Sequence, residues 1–157
     1  MKYMVKLVSL FSIFFIMTHT TLAISKETIS STRNEAKALL FRAINLVEVN
    51  EVVAFTMMTI PNSGFQTKDL YPFCLDNKGV LLAHPYDLGV SIDDFVSDDG
   101  VRVGKEMLGS ADYGKISEIS YKISIFKNGI LTKKKAKKTT LYTKVKDYIC
   151  ASGFHSN

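Results

Sequence analysis

The chain of 157 residues has few of the side chains that catalytic and metal sites commonly use. It contains two cysteines, three histidines and no tryptophan. Two cysteines cannot make a disulfide framework, and they supply only two of the four ligands of a structural zinc site. The sequence also lacks a nucleophile elbow, a phosphate-binding loop and a cluster of metal-ligand residues. We therefore expect no enzyme activity, no cofactor and no metal.

The longest basic run of the chain is Lys133 to Lys138. It has no interleaved aromatic or arginine side chains, so it does not have the pattern of a surface that stacks on bases. We expect a solvated hairpin tip and no nucleic-acid partner. Binding to an anionic lipid surface is the alternative that the charge leaves open. Loss of Lys2 and Lys6 with a leader would lower the formal net charge of +5 by two, which leaves only a modest positive excess.

The start of the chain has the pattern of an export signal. Lys2 and Lys6 precede the apolar segment 7–17, and polar and small residues then lead to Ala23. This order is that of a secretory signal peptide. An uncleaved membrane anchor is the alternative, but the apolar run is shorter than the ~18–20 residues that span a bilayer. We predict a signal peptide over residues 1–23, cleavage after Ala23, and a periplasmic or secreted product without a membrane span.

Cys74 and Cys150 are the only cysteines. In an exported protein they can form a disulfide. Two buried apolar thiols within strands are the equally acceptable alternative.

The segment after the leader has the spacing of an amphipathic helix. Apolar residues recur at three- and four-residue intervals from Ala36 to Val47, and Thr32 and Glu35 fit a capping box. No Gly or Pro interrupts the segment, although a break near Asn50 is compatible with the pattern. We predict a long helix over about 31–58.

The rest of the chain has the pattern of strands separated by turns. Short apolar runs flank the turn 76–79, which predicts a hairpin. Further strands are predicted at about 116–126, 137–145 and 148–153. A short helical turn within loops is predicted at about 92–95, and a short helix at about 103–109. This order predicts an α+β fold, with an antiparallel sheet of about five strands in the region 69–155 and helices on its faces.

Several short motifs then occur in a familiar order. They are the aromatic strand Tyr71 to Leu75, the turn Asp76 to Gly79, Ala83-His84-Pro85, Glu106-Met107, Tyr121, Lys138, and the closing segment Ala151 to His155. In this order the chain resembles the single Cache domain, a PAS-like extracellular small-molecule sensor module of bacterial receptors. The resemblance covers about residues 31–155, and it implies one such domain over residues 24–157 with a PAS-like sheet after the long helix.

The chain departs from the family pattern at several places. The residue before the lysine, commonly a proline, is Lys137, the last aromatic position is His155, and the segment from Tyr121 to Lys138 is about four residues longer than usual. The Gly-Trp pair that usually precedes the tyrosine is absent. The aromatic residue that usually follows the lysine by three positions falls on Leu141, with Tyr142 one position later.

The resemblance also implies a ligand site. Its candidate residues are Tyr71, Phe73, His84, Met107, Tyr121 and Lys138. The same aromatic residues could form an ordinary core, and His84 could instead fix its own loop by hydrogen-bonding to backbone. We predict an exported, non-catalytic, sensor-type domain for a small organic ligand such as a carboxylate or amino acid, acting with a membrane receptor or another exported protein. The alternative is a structural or protein-interaction domain of the same fold with a filled pocket.

Overall fold

A computed structural model describes residues 31–127 and 130–156 of the protein. The predicted signal peptide and its cleavage site lie outside these residues. The elements in chain order are α1 (Arg33–Val49), α2 (Glu51–Thr59), β1 (Pro72–Leu75), β2 (Leu81–Ala83), α3 (Val103–Ser110), β3 (Ser117–Lys127), β4 (Ile130–Val145) and β5 (Tyr148–Ser156). This is the predicted order of a helical segment, two strands, a short helix and three strands.

The helical segment at the start is two helices, and polar side chains set where each begins. Thr32 caps α1 through the predicted capping box, because its hydroxyl accepts the Glu35 N–H at 3.2 Å while its own N–H donates to the Glu35 carboxylate at 2.7 Å. Asn50 adopts an extended backbone that ends α1, and its side chain accepts the Val53 N–H at 3.1 Å to cap α2. The break compatible with the sequence therefore occurs at Asn50. No helix in the described ranges has the length and apolar character of a membrane span.

The five strands form one antiparallel sheet in the order β2-β1-β5-β4-β3. The predicted α+β fold with a five-stranded antiparallel sheet is thus confirmed. β3 and β4 form a long hairpin in which pairing continues from Ser117↔Tyr142 to Lys127↔Ile130.

The basic run does not form a hairpin tip, so that prediction is wrong. Pairing between β3 and β4 extends past the run, and Lys135 to Lys138 have partners in the ladder. Lys134, Lys135 and Lys137 are exposed, whereas Lys138 is buried with 4% of its surface accessible. One lysine of the run therefore differs from its neighbours in environment.

Alternation along the strands divides the sheet into two faces. The helix face packs against α1 and α2, and its strand residues include Cys74, Leu141 and Val145. The cavity face lies opposite, and its strand residues include Phe73 and Tyr121, which are covered by α3 and by the connecting segment 86–102. Successive strand side chains point to opposite faces, so neighbouring residues of one strand belong to different cores.

A disulfide joins β1 and β5 on the helix face. Cys74 and Cys150 are direct partners in the ladder, with their Cα atoms 4.1 Å apart. Met58 of α2 lies against it, with its sulfur 3.7 Å from the Cys74 sulfur. Of the two alternatives for the cysteines, the structure contains the bridge.

The short helix α3 approaches the segment before it more closely than a side chain would allow. A Cβ atom on Gly104 would lie 1.7 Å from the carbonyl oxygen of Ile92, so only glycine permits this contact. Residues 92–95 form a turn closed by the Phe95 N–H to the Ile92 carbonyl at 2.9 Å, where the sequence predicted a short helical turn. Gly104 thus holds this turn against α3, where both cover the cavity face.

Candidate ligand-binding site

A cavity of about 400 Å³ lies between the cavity face, α3 and the connecting segment 86–102. All six residues that the sequence singled out contribute to its wall. They are Tyr71, Phe73, His84, Met107, Tyr121 and Lys138. The volume falls within the ~300–1,000 Å³ of small-molecule sites.

Strand register explains how residues from distant parts of the sequence meet there. Tyr121 of β3 and Lys138 of β4 are direct partners in the ladder, so their side chains are neighbours on one face. Tyr71 immediately precedes β1, which is separated from β4 by β5. The Lys138 side chain must therefore cross β5 to reach it.

Gly153 of β5 makes this crossing possible. A Cβ atom at that position would lie 2.6 Å from Cε of Lys138, closer than any real contact of that kind. A glycine within a strand commonly marks such a close approach. The missing side chain leaves a channel across the sheet through which Lys138 reaches Tyr71.

The ammonium group of Lys138 contacts Tyr71. Its Nζ donates to the Tyr71 hydroxyl at 2.9 Å and lies 4.6 Å from the centroid of the same ring. Burial alone lowers the pKa of this ammonium, whereas the neighbouring phenol and carboxylate oxygens, foremost that of Tyr71, outweigh burial and hold its pKa above the ordinary value. Lys138 is therefore charged at neutral pH, and it makes no salt bridge within the described ranges.

His84 both fixes its own loop and faces the cavity. Its Nδ1 accepts the backbone N–H groups of Tyr86 at 3.1 Å and Asp87 at 2.9 Å. Burial lowers the pKa of His84 to about 4; the nearby Asp87 carboxylate opposes this effect and the charge on Lys138 adds to it. The ring is therefore neutral at pH 7. Because Nδ1 is an acceptor, the ring proton is on Nε2, where it can be donated to another group.

Aromatic rings surround this polar end of the cavity. The His84 ring lies edge-on to Tyr71, with centroids 5.1 Å apart, and to Phe73 at 5.6 Å. The exposed ring of Tyr86 lies 5.5 Å from Tyr71 at the rim. Such edge-to-face contacts fix the orientation of the rings, so the Tyr71 hydroxyl is held at a defined position.

The other end of the cavity is apolar, and sequence reasoning missed most of it. Its additional wall residues include Leu81, Ile92, Phe95, Val103 and Ile123. Phe95 packs edge-on to Tyr121 at 6.3 Å, and the Tyr121 hydroxyl is satisfied by Thr140 at 3.1 Å. Ile92 and Phe95 lie in an irregular segment, where no periodicity indicates which side chains face inward. Their apolar character within an acidic, polar stretch is the only signal.

Tyr142 does not take the place of the aromatic residue that the family pattern expects. Its ring is buried on the cavity face, and its hydroxyl forms a hydrogen bond with Ser110 of α3 at 2.7 Å. It does not contribute to the cavity wall. Tyr142 instead helps to attach α3 to the sheet.

Three charged side chains besides Lys138 contribute to the cavity wall: Asp87, Asp98 and Lys122. Asp98 accepts from the Ser124 hydroxyl at 3.0 Å and pairs with Lys135 at 3.5 Å. Asp87 lies 3.5 Å from Nδ1 of His84, and its side chain is 60% exposed. Within the described ranges, no three His, Cys, Asp or Glu side chains come together as metal ligands.

Comparisons with known proteins identify the fold. No family model matches the sequence, and no curated protein sequence matches it. Solved structures do match. A methyl-accepting chemotaxis protein from Vibrio parahaemolyticus RIMD 2210633 has a TM-score of 0.57 at 17% identity, over 78% of this chain and 86% of that one. A Cache chemosensory domain described with the structural basis for its carboxylic acid recognition has a TM-score of 0.53 at 18% identity, over 79% and 88%.

The chain has the fold of a Cache sensor domain. A third structure agrees: the periplasmic sensor domain of a chemotaxis protein has a TM-score of 0.52 at 14% identity, over 79% of this chain and 90% of that one. The resemblance seen in the sequence is confirmed at the level of fold. In this Cache fold, the six candidate residues occupy one cavity on the face of the sheet opposite the helices α1 and α2.

Proposed function

We propose that the protein is an exported, non-catalytic sensor-type domain that binds a small carboxylate in the cavity. The observation that carries the proposal is the Lys138 ammonium. It is a charge in a buried position, and its hydrogen-bond partner in the described ranges is the Tyr71 hydroxyl and not a carboxylate. A bound carboxylate would supply the missing negative charge.

The physical argument rests on the cost of a buried charge. An ammonium removed from water loses several kcal/mol of hydration unless opposite charge and hydrogen bonds replace it. Tyr71 offers one acceptor for the three donors of Lys138. A carboxylate accepts several hydrogen bonds and carries the charge that a phenol lacks, so the cavity is better matched to an anion than to a neutral ligand.

Two further donors lie at the same end. Because the Tyr71 hydroxyl accepts from Lys138, its own proton is directed elsewhere and can be donated to a ligand. The Nε2 proton of His84 is the third donor, and its ring is held 5.1 Å from that of Tyr71. An ammonium, a hydroxyl and an imidazole N–H are well suited to the two oxygens of one carboxylate.

The remaining parts of the proposal come from the sequence and the fold. The export pattern at residues 1–23 supports a periplasmic or secreted location, and the domain would pass its ligand state to a membrane receptor or another exported protein. The similarity in fold to a Cache domain described for carboxylic acid recognition supports the ligand class. The alternative of a filled pocket is not favoured, because about 400 Å³ remains open.

The test is a thermal-shift screen with carboxylates at millimolar concentration, each beside its primary amide. A ligand that binds only the folded state raises the unfolding temperature. We expect carboxylates to give a shift that the amides do not. Calorimetry on a carboxylate that gives a shift should then show affinity reduced by about tenfold or more in Lys138→Met, the usual size of a lost charge-assisted hydrogen bond.

The matched control is Lys137→Met. Lys137 is the preceding residue of the same strand, carries the same charge and is exposed on the other side. The Lys137→Met variant should bind the carboxylate with unchanged affinity. An equal loss in both variants would show that net charge is responsible, and a screen in which no carboxylate gives a shift would overturn the proposal.

A further inference from the structure

We infer that the ligand is a monocarboxylate with an apolar body of about four or more carbons beyond the carboxylate, and without an α-ammonium group. The inference rests on the proposed function and names the ligand class of the same site. Three features carry it: the volume of the cavity, the apolar wall opposite Lys138, and the placement of the carboxylate side chains near the cavity.

The volume exceeds what a very small acid fills. Liquid water takes about 30 Å³ per molecule, so 400 Å³ is room for roughly a dozen waters. Acetate, with four heavy atoms, would occupy a small part of this space next to Lys138. The rest would be left to water against the wall formed by Phe95, Val103 and Met107.

That wall offers little to hold water. Two of the wall hydroxyls already donate to carboxylates: Ser97 donates to Asp99 at 2.6 Å and accepts the Val101 N–H at 3.1 Å, and Ser124 donates to Asp98. Ordered water requires two to four polar partners, whereas an apolar surface favours an apolar occupant. A hydrocarbon body extending from the carboxylate would cover this surface.

The Lys138 charge disfavours an α-ammonium group at the polar end. A group one carbon from the carboxylate would lie close to the Lys138 charge, which repels it. Asp69, the acidic side chain that favours the charge on Lys138, is already bound: it accepts from Ser31 N at 2.9 Å and contacts His155 Nδ1 at 2.9 Å. Asp87 also lines the cavity, but its side chain is 60% exposed, so water and salt screen its attraction for an ammonium group. The site is therefore built for a carboxylate on a hydrocarbon and not for an amino acid.

Two ligand series measured by calorimetry on the wild-type protein test this directly. The first is acetate, butyrate and hexanoate, for which burial of each added methylene should tighten binding about fourfold. Hexanoate should therefore bind about 100-fold or more tightly than acetate. The second compares 4-methylpentanoate with leucine, and 3-phenylpropionate with phenylalanine. Each amino acid differs from its partner only by the α-ammonium, and it should bind at least tenfold more weakly.

The variant Val103→Phe tests whether the apolar end of the cavity contacts the ligand. Val103 is buried at the start of α3 and lines the cavity. The larger phenylalanine side chain should weaken the binding of hexanoate about tenfold and leave the binding of acetate unchanged. If thermal unfolding shows that this variant does not fold, Ile123→Phe, from β3 on the same wall, replaces it. Equal weakening of both ligands would count against the inference.

These experiments distinguish a failure of this inference from a failure of the proposed function. If acetate binds as tightly as hexanoate and its binding depends on Lys138, the ligand class inferred here is wrong and the proposed carboxylate function stands. If leucine binds more tightly than 4-methylpentanoate, the exclusion of amino acids is wrong. If no member of either series binds, the proposed function itself is overturned.

Discussion

The two faces of the sheet are built from the same strands but differ in how completely they are filled. On the helix face, side chains of α1 and α2 such as Leu40, Val47 and Met58 are fully buried against the strands. On the cavity face, residues of similar character leave about 400 Å³ open. The strands are thus a shared wall between a packed core and a binding cavity.

The faces also differ in charge. Among the described residues, the buried side chains that carry or can take up a positive charge are His84 and Lys138, and both line the cavity. Buried ionisable groups are costly, and they cluster at functional sites more often than in structural cores. We therefore expect substitutions on the helix face to change stability most, and substitutions on the cavity face to change ligand binding most.

The largest expected effect comes from removing the disulfide on the helix face. The bridge closes a loop with a sequence separation of 76 residues, for which the chain-entropy model gives about 4 kcal/mol of stabilisation. The double variant Cys74→Ala/Cys150→Ala should lose free energy of unfolding on that scale in urea titrations. Ligand affinity of the folded variant should be unchanged. A loss below about 1 kcal/mol would show that the bridge is not an important source of stability.

A matched pair of leucine truncations compares the faces directly. Leu40 is fully buried on the helix face, and Leu81 of β2 is 3% exposed and lines the cavity. Leu40→Ala opens a new void and should cost about 3 kcal/mol, with ligand affinity unchanged. Leu81→Ala enlarges an existing space, so it should cost about 2 kcal/mol and alter affinity for an apolar carboxylate.

Urea titration of both variants measures the free energy of unfolding, and calorimetry measures their affinity for the carboxylate. The two faces would not be separable if Leu40→Ala changed affinity as much as Leu81→Ala.

A smaller effect is expected on acidification. Burial lowers the pKa of His84 to about 4, against 6.5 for the free side chain. Between these values the unfolded chain binds a proton that the folded one does not, so stability falls as pH decreases from 6.5 towards 4. The loss at pH 4.5 should be about 2 kcal/mol.

The variant His84→Asn isolates this contribution. Its side-chain oxygen can replace Nδ1 as acceptor for the backbone of residues 86 and 87, but it does not titrate. Urea titrations at pH 7 and pH 4.5 should show a smaller pH dependence in this variant than in the wild type. If the free energy of unfolding depends on pH equally in the two proteins, His84 is not buried in a neutral state.

Much of the fold could be predicted from sequence because local signals agreed with it. The capping box at Thr32 and Glu35 set the start of α1, and alternation placed Tyr71 and Phe73 on one face. The burial of Lys138 could not be derived from its surroundings in sequence. A run of lysines predicts exposure to solvent. Lys138 is buried because β4 pairs with β5 and because Gly153 has no side chain to block it.

The opposite wall of the cavity was the least predictable part of the site. Ile92 and Phe95 lie in a turn without periodicity, and their position depends on the approach of Gly104 to the Ile92 carbonyl. Such a contact joins two segments through tertiary packing and leaves no pattern in either. The resemblance to the Cache family indicated the residues of the polar end, whereas tertiary packing alone sets most of the apolar end.

The most direct measurement is the calorimetric affinity of 3-phenylpropionate and of 3-phenylpropanamide, each for the wild type and for Lys138→Met. The two ligands differ only in the charge and hydrogen bonding of one group, so the four affinities isolate its interaction with Lys138. We expect the wild type to bind the carboxylate at least tenfold more tightly than the amide, and Lys138→Met to bind the two equally. Equal affinities in the wild type, or the same preference in both proteins, would contradict the claim that the buried ammonium binds a carboxylate.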